Sequence, residues 1–251
     1  MKAAICITCD RNYLEGLNTL LFSISFHMWQ TPVTVVIISD DLDISDLHAD
    51  PSMTVHIHRP DMVLYNQIPQ EGRFPTIVHT IYESLRLGYD RVIWMGADQL
   101  VVGDLSPLLQ ADLPPLCAMQ ESTGTPSDNF CTGMLTISPK AFPGIFEEVF
   151  SLACQGQSYD SGDMGVMNEY VNRKNIEVTI LDPWVDVSKR MFNHPGWWNK
   201  HRHQIKSIHY VGADKPWDNE PQGVLDIAHD PLLGLWWSYQ QHTPIEVPAV
   251  I

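Results

Sequence analysis

Apolar positions along this chain follow two periods, and the switch between them lays out the elements. Residues 3–9, 33–38, 53–57 and 91–95 are short runs rich in β-branched and other apolar side chains, the pattern of buried strands. Between the first two, Leu14, Leu17, Leu20, Leu21 and Ile24 recur at helical spacing, which predicts a helix over 13–26. A second helix is predicted over 76–87, closed by Gly88, and Asp43 is placed to cap a short helix. Strands alternating with helices in this order imply right-handed crossovers and a mostly parallel sheet.

The pattern changes after residue 105. Pro114 and Pro115 precede a strand over 116–120, then a polar loop over 121–128 and a strand over 134–138. Helices follow over 139–153 and 162–172, strands over 177–181 and 206–211, and a loop rich in aromatics and histidine over 192–203. A closing helix over 231–241 is expected to bury Leu232, Leu235, Trp236 and Tyr239. No linker separates the two parts. The expectation is one domain over 1–251, with a nucleotide-binding half (1–105) and an acceptor and catalytic half (106–251).

Composition narrows the function. The 251 residues carry 15 basic and 30 acidic side chains, a formal charge of -15. Such a surface repels nucleic acid and anionic membranes at long range, so no nucleic-acid partner is expected. No apolar run reaches the ~18–20 residues that cross a bilayer. The short apolar opening is cut off by Asp10 and Arg11, too early for a signal peptide. A cytoplasmic location without stable membrane insertion is therefore expected. Cys6, Cys9, Cys117, Cys131 and Cys154 are odd in number and scattered, which favours free thiols over a disulfide framework. A spacing of three on a strand turns Cys6 and Cys9 to opposite faces, so the C-x-x-C match does not favour a metal or redox pair. A homodimer is allowed by all of this.

Four segments look chemical. The strand over 91–95 runs into the turn Gly96-Ala97-Asp98, which places a carboxylate at a strand's carboxyl end, where open sheets hold ligands. Thr8-Cys9-Asp10-Arg11-Asn12-Tyr13 lies between the first strand and first helix. Asp160-Ser161-Gly162-Asp163-Met164-Gly165 opens a helix, and His209-Tyr210-Val211-Gly212-Ala213-Asp214-Lys215-Pro216-Trp217 ends a late strand. Taken singly, Asp98 reads as a turn former, His209 as a structural histidine and Asp163 as a charge at a helix N-terminus. Their ordered company carries the functional reading.

Together with Phe130-Cys131-Thr132-Gly133 and Leu235-Trp236-Trp237, these segments resemble glycosyltransferase family 8, the glycogenin-like and galactinol-synthase-like retaining enzymes. The resemblance implies an α/β fold of GT-A type: a Rossmann-like, mostly parallel sheet flanked by helices, with an acceptor-side α/β half. It implies hexose transfer from a UDP-sugar to a carbohydrate or small-molecule acceptor. Asp98 and His209 would be ligands of Mn2+ or Mg2+, and the imidazole would favour manganese. Gly212 would let backbone approach phosphate, Lys215 would add positive charge there, and Asp163 would bond sugar hydroxyls near the reacting carbon. Tyr13 would stack on uracil, with Thr8, Cys9 and Asp10 around the base or ribose. Gly96, Ala97, His79, Cys131 and Thr132 would complete the donor site. The retaining route implied is front-face attack, in which the leaving phosphate helps deprotonate the acceptor.

Departures from the family pattern cluster in this same set. Gly96 replaces the first aspartate of the D-x-D turn, Met164 replaces a glutamine beside the anomeric carbon, and His79 stands where a helix lysine is expected. Cys131 and Thr132 replace an asparagine and a serine, and residues 185–204 contain no tyrosine, so self-glucosylation of glycogenin type is not expected. An alternative reading follows: a catalytically impaired nucleotide-sugar binding protein. The pairs Trp197-Trp198 and Trp236-Trp237 admit a third, a carbohydrate-binding module. Stacking tryptophans of that kind are as readily a packed lid or core.

Overall fold

The computed structural model describes residues 1–69, 74–121, 129–218 and 230–250. A sheet of seven strands forms the centre. In chain order the strands that matter are β1 (Ala3–Thr8), β2 (Thr34–Ile38), β3 (Thr54–His58), β4 (Arg91–Gly96), β5 (Gln99–Val101), β6 (Leu116–Gln120), β7 (Phe130–Ile137) and β8 (Thr179–Ile180). The large sheet runs β3-β2-β1-β4-β7-β6-β8. Strands β3, β2, β1 and β4 pair in parallel, β7 is antiparallel to both its neighbours, and β8 pairs in parallel with β6. The mostly parallel α/β sheet expected from the sequence is what forms.

Two-residue periodicity explains why the centre of the sheet is buried on both sides. Ala4, Cys6, Val36, Ile38, Val92 and Trp94 face one apolar cluster. Their neighbours Ile5, Ile7, Val35, Ile37, Ile93 and Met95 face the other, with the inner stripe of helix α1 (Leu14–His27). Cys6 and Cys9 fall in different clusters, as their spacing requires, and all five cysteines are free thiols.

A second sheet of three strands, ordered β5-β10-β9, builds the site. Its members are β5, β9 (Val187–Ser188) and β10 (Ser207–His209). It packs on a third cluster with Trp198, Leu232, Leu235, Trp236 and Trp237. Among the described residues the remaining α-helices are the single turn α2 (Met62–Tyr65), α3 (Ile145–Cys154), α4 (Asp163–Lys174), α5 (Pro195–His201) and α6 (Pro231–Gln240).

Several local expectations are corrected. The 76–87 segment is a 3-10 helix, Thr76–Leu85, although Gly88 does take the left-handed backbone of a terminator (φ +79°). The 139–153 segment is broken: a 3-10 turn over Pro139–Ala141 precedes α3, with Gly144 at φ +79° before it. The 192–203 loop contains α5, entered through Pro195, since proline is tolerated in a first helical turn. Within it Trp198 is fully buried and its indole donates to the Pro248 carbonyl at 2.7 Å, so this ring is packing rather than a sugar platform. Trp236 and Trp237 are core as well. Strand β7 starts at Phe130 rather than near 134, which puts Phe130-Cys131-Thr132-Gly133 inside the sheet. The polar loop placed over 121–128 lies outside the described residues apart from Glu121.

Candidate active site

Backbone pairing, not side-chain attraction, brings the distant motifs together. After β4 ends, Gly96-Ala97-Asp98 turns the chain into β5, which pairs antiparallel with β10, so that Gln99 lies opposite His209. The Tyr210 amide then donates to the Asp98 carbonyl at 2.9 Å. Gln99, fully buried, accepts from the Gly96 amide at 2.7 Å and fixes the turn. Asp98 and His209 thus become neighbours.

Their side chains meet. His209 Nε2 lies 3.2 Å from Asp98 Oδ1, and Lys215 Nζ ion-pairs with Asp98 Oδ2 while donating to the Tyr210 carbonyl at 3.0 Å. Lys215 is buried although it is a lysine, which is the expected situation only when such a charge is paired. Burial opposes ionisation of Asp98, but His209 and Lys215 outweigh it and hold the carboxyl well below the usual carboxylate range. Burial likewise disfavours the His209 imidazolium. Asp98 on one side and Asp186 on the other reverse that and push it well up.

Asp186 has no motif to announce it. Its Oδ2 lies 3.4 Å from His209 Nδ1, delivered by the parallel pairing of β9 with β10. Gly133 is the second residue whose role needs the structure. A Cβ there would stand 2.7 Å from His209 Cε1 and 2.8 Å from Nδ1, so only glycine leaves room for the ring. Gly96 is different: a Cβ there would meet Asp98 Oδ1 at 2.6 Å, because that carboxylate folds over the turn. The position without a side chain is covered by its neighbour.

A bulge re-aims the β7 motif. Registry with β6 jumps from Ala118↔Leu135 to Met119↔Cys131, which leaves Thr132 and Gly133 out of the ladder at the end of β4. Thr132 hydrogen-bonds the carboxylate of Asp163 at the start of α4. Burial raises Asp163 to about 6, against the Thr132 bond and the backbone amides of the helix start, with Asp160 adding to the rise. Asp160 Oδ1 accepts from the Gly162 and Gly165 amides at 2.9 and 3.0 Å, so the helix already has its cap and Asp163 is left for other use. Asn168, absent from the sequence reading, clamps α4 to β7: it accepts from the Phe130 amide at 3.0 Å and donates to its carbonyl at 2.8 Å. Cys131 is partly buried, its sulfur 3.4 Å from the Gly133 amide, and Met164 is partly exposed.

The N-terminal motif joins from the side. Tyr13 sits edge-on to Trp217, ring centroids 5.3 Å apart, and Lys215 Nζ lies 5.5 Å from the Tyr13 ring centre. Trp217 rests on Gly16, where a Cβ would be 2.4 Å from the indole. Asp10 caps the turn Arg11–Tyr13 by accepting from the Asn12 amide at 3.0 Å. Gly212 has φ +103°, a conformation that suits glycine, and Asp214 is exposed.

Three expected donor-site residues are committed elsewhere. The Thr8 hydroxyl bonds the Ile77 carbonyl at 2.9 Å and Thr80 at 2.6 Å. The Cys9 thiol is buried and donates to the Asp10 carbonyl, and burial pushes its pKa up. His79 is buried and lowered to about 4, bonded to Tyr82 and to the Ser161 backbone. It braces the loop before α4 instead of offering a cation.

Comparison with known proteins agrees with this geometry. The pattern of glycosyl transferase family 8 matches residues 4–220. Glycogenin-1 of Oryctolagus cuniculus is 24% identical over 162 residues, covering 59% of this chain and 47% of that protein. A putative UDP-glucuronate:xylan alpha-glucuronosyltransferase 5 of Arabidopsis thaliana is 27% identical over 148 residues, covering 54% and 23%. The chain spans about half the length of the glycogenins it matches. Among solved structures, the galactosyltransferase LgtC, in complex with donor and acceptor sugar analogues, superposes with a TM-score of 0.69 at 15% identity over 98% of this chain and 97% of that one. The glycosyltransferase GlyE of Streptococcus pneumoniae TIGR4 gives 0.68 at 17% identity, over 100% and 67%. These neighbours share the GT-A fold, and this chain has it too. With more than half its length matched by the family pattern, and with the family's ordered motifs converging at the end of β4, the chain belongs to glycosyl transferase family 8.

Proposed function

We propose that this protein transfers a hexose from a UDP-sugar to a carbohydrate or small-molecule acceptor with retention of configuration. The convergence of Asp98, His209 and Lys215 at the carboxyl end of β4 carries the reading. Tyr13 and Trp217 beside them offer an aromatic platform for uracil, and Lys215 places a cation where a diphosphate would lie.

The donor set suits a divalent cation. One carboxylate and one imidazole, 3.2 Å apart, can share an ion of the manganese type, and oxygen and nitrogen donors fit it. Among the described residues no group of three or more His, Cys, Asp or Glu is arranged to hold a metal, and Asp98 and His209 are the residues that would hold the cation. When bound, the cation neutralises charge on the leaving diphosphate. Asp98 and His209 would hold and orient it. Lys215, already paired with Asp98, moves its second interaction to phosphate as a point charge. Asp163 accepts hydrogen bonds from sugar hydroxyls, kept in place by Thr132. Attack from the leaving-group face needs no carboxylate beneath the ring and is the favoured route; the thioether of Met164 is no nucleophile, so a double displacement would fall to Asp163.

The test is a panel of single UDP-sugars assayed with Mn2+ for hydrolysis and transfer. Asp98→Ala and His209→Ala are each expected to lose activity by 100-fold or more, by order of magnitude for a lost electrostatic group (about 10²–10³). Wild-type rates in both variants would remove the metal-site assignment. One observation favours a second reading, nucleotide-sugar binding without turnover: Gly96 offers no carboxylate, and Asp98 lies over it. Calorimetry that finds tight UDP binding with no turnover of any donor would select that reading.

A further inference from the structure

His209 is gripped from three sides, and the carboxylate on one of them, Asp186, has no part in the scheme above. Asp186 immediately precedes β9, and the pairing of β9 with β10 sets Val187 against Ile208 and Ser188 against His209. This brings a carboxylate under the imidazole. Asp186 Oδ2 lies 3.4 Å from His209 Nδ1, while Nε2 faces Asp98 Oδ1 at 3.2 Å. The Asp186 side chain is only 4% exposed, and its Oδ1 is buried with no hydrogen-bond partner among the described residues. The third side is Gly133, whose missing side chain gives the ring its space.

A carboxylate buried this deeply and left half unsatisfied is costly to keep, and its Oδ2 faces the imidazole. A histidine that binds metal through one nitrogen commonly donates from the other to a carboxylate, which fixes the tautomer, locks the ring and strengthens the donor. That help matters more here, because Gly96 removes a carboxylate from the opposite side of the site. We propose that Asp186 is a positioning residue that holds the His209 ring with Nδ1 toward itself and Nε2 toward Asp98 and the donor's cation. The inference rests on the reading of Asp98 and His209 as the cation-binding pair.

Three variants separate orientation from bulk. Asp186→Asn keeps an acceptor oxygen, Asp186→Leu removes it at similar volume, and Asp186→Ala serves the same comparison should leucine prevent folding. Melting midpoints establish that each variant is folded. Calorimetry then measures Mn2+ binding to the protein saturated with UDP. Asp186→Leu is expected to bind Mn2+ about 10–100-fold more weakly, the usual effect of losing such a partner. Asp186→Asn is expected to stay within a few-fold of wild type, and His209→Ala to lose at least as much as the leucine variant. In the metal-free protein, 15N-edited NMR is expected to find a slowly exchanging His209 Nδ1–H in wild type and Asp186→Asn, absent from Asp186→Leu and His209→Ala, while the Nε2 side, which faces Asp98, is not altered by the Asp186 variants. Unchanged Mn2+ affinity in Asp186→Leu beside a loss in His209→Ala would overturn the inference and leave the metal reading standing. Survival of a slowly exchanging Nδ1–H in Asp186→Leu would overturn it too. If His209→Ala itself bound Mn2+ like wild type, the metal reading would fall, and the ring N–H would still decide whether Asp186 holds the ring.

Discussion

Gly133→Ala adds one methyl group to a site it does not otherwise alter, and its effect follows from two distances. The new Cβ would stand 2.7 Å from His209 Cε1 and 2.8 Å from Nδ1. Carbon atoms in contact prefer about 3.5–4.0 Å, so the ring must retreat by roughly 0.8 Å or more. It has little room to do so, because Asp98 and Asp186 hold its two nitrogens at 3.2 and 3.4 Å. Overpacking of this kind costs about 1–3 kcal/mol, and for a chain of this size each kcal/mol lowers the melting midpoint by about 2–4 °C. The effect on chemistry should be larger, since displacement of a catalytic group by about 1 Å costs on the order of 100-fold. The assay is Mn2+-dependent turnover of the preferred UDP-sugar, measured beside the melting midpoint. Gly196→Ala is the control, because nothing lies within 4 Å of its added Cβ and it sits in a helix. It is expected to leave turnover unchanged. A Gly133→Ala protein with wild-type turnover would refute the reasoning, because His209 would then not need its present position.

Three further outcomes are expected. Asp163 has a folded-state pKa raised from 3.8 to about 6, so its ionisation opposes folding above that range; the favourable contribution is complete below about 3.8 and lost as pH rises through 6. Asp163→Asn should therefore stabilise the protein at pH 8 by up to roughly 3 kcal/mol and lose that advantage at pH 4, while abolishing transfer. A denaturation midpoint difference that is the same at both pH values would count against it. Gly96→Asp should tighten Mn2+ binding in the presence of UDP, once Asp98 swings its carboxylate off the turn, and calorimetry giving weaker binding would mean that the turn cannot admit a side chain. Asn168→Ala leaves the Phe130 amide and carbonyl buried without their side-chain partner, at about 1–3 kcal/mol for each group so exposed to loss; urea unfolding should detect this, and unchanged stability would show the clamp to be dispensable.

Local pattern and long-range pairing divided the information about this protein between them. Short uninterrupted apolar runs specify β1, β2 and β4 as strands covered on both faces of the sheet, because successive side chains in a strand point to opposite sides and all of them must be buried. Helical spacing specifies α1. The placement of Asp98, His209, Asp163 and Lys215 at one candidate site was legible through ordered motifs, each tied to a strand end or a helix start that the local pattern already marked. Thr8 and His79 were legible as positions but not as roles, since their hydroxyl and imidazole are taken by Thr80, Tyr82 and backbone carbonyls from other segments.

The tertiary structure alone decided the convergence. Lys215 and Asp98 are 117 positions apart, and the three-residue pairing of β5 with β10 that joins their segments leaves no periodic trace in so short a run. Asp186 and Asn168 carry no motif, because the groups they serve, the His209 ring and the Phe130 backbone, belong to other strands. The chain wrote its strands and its reactive side chains locally. Which of those side chains would touch was set by backbone hydrogen bonds between segments remote in sequence, and by glycines at 133 and 16 whose value lies in the space they leave for a partner's ring.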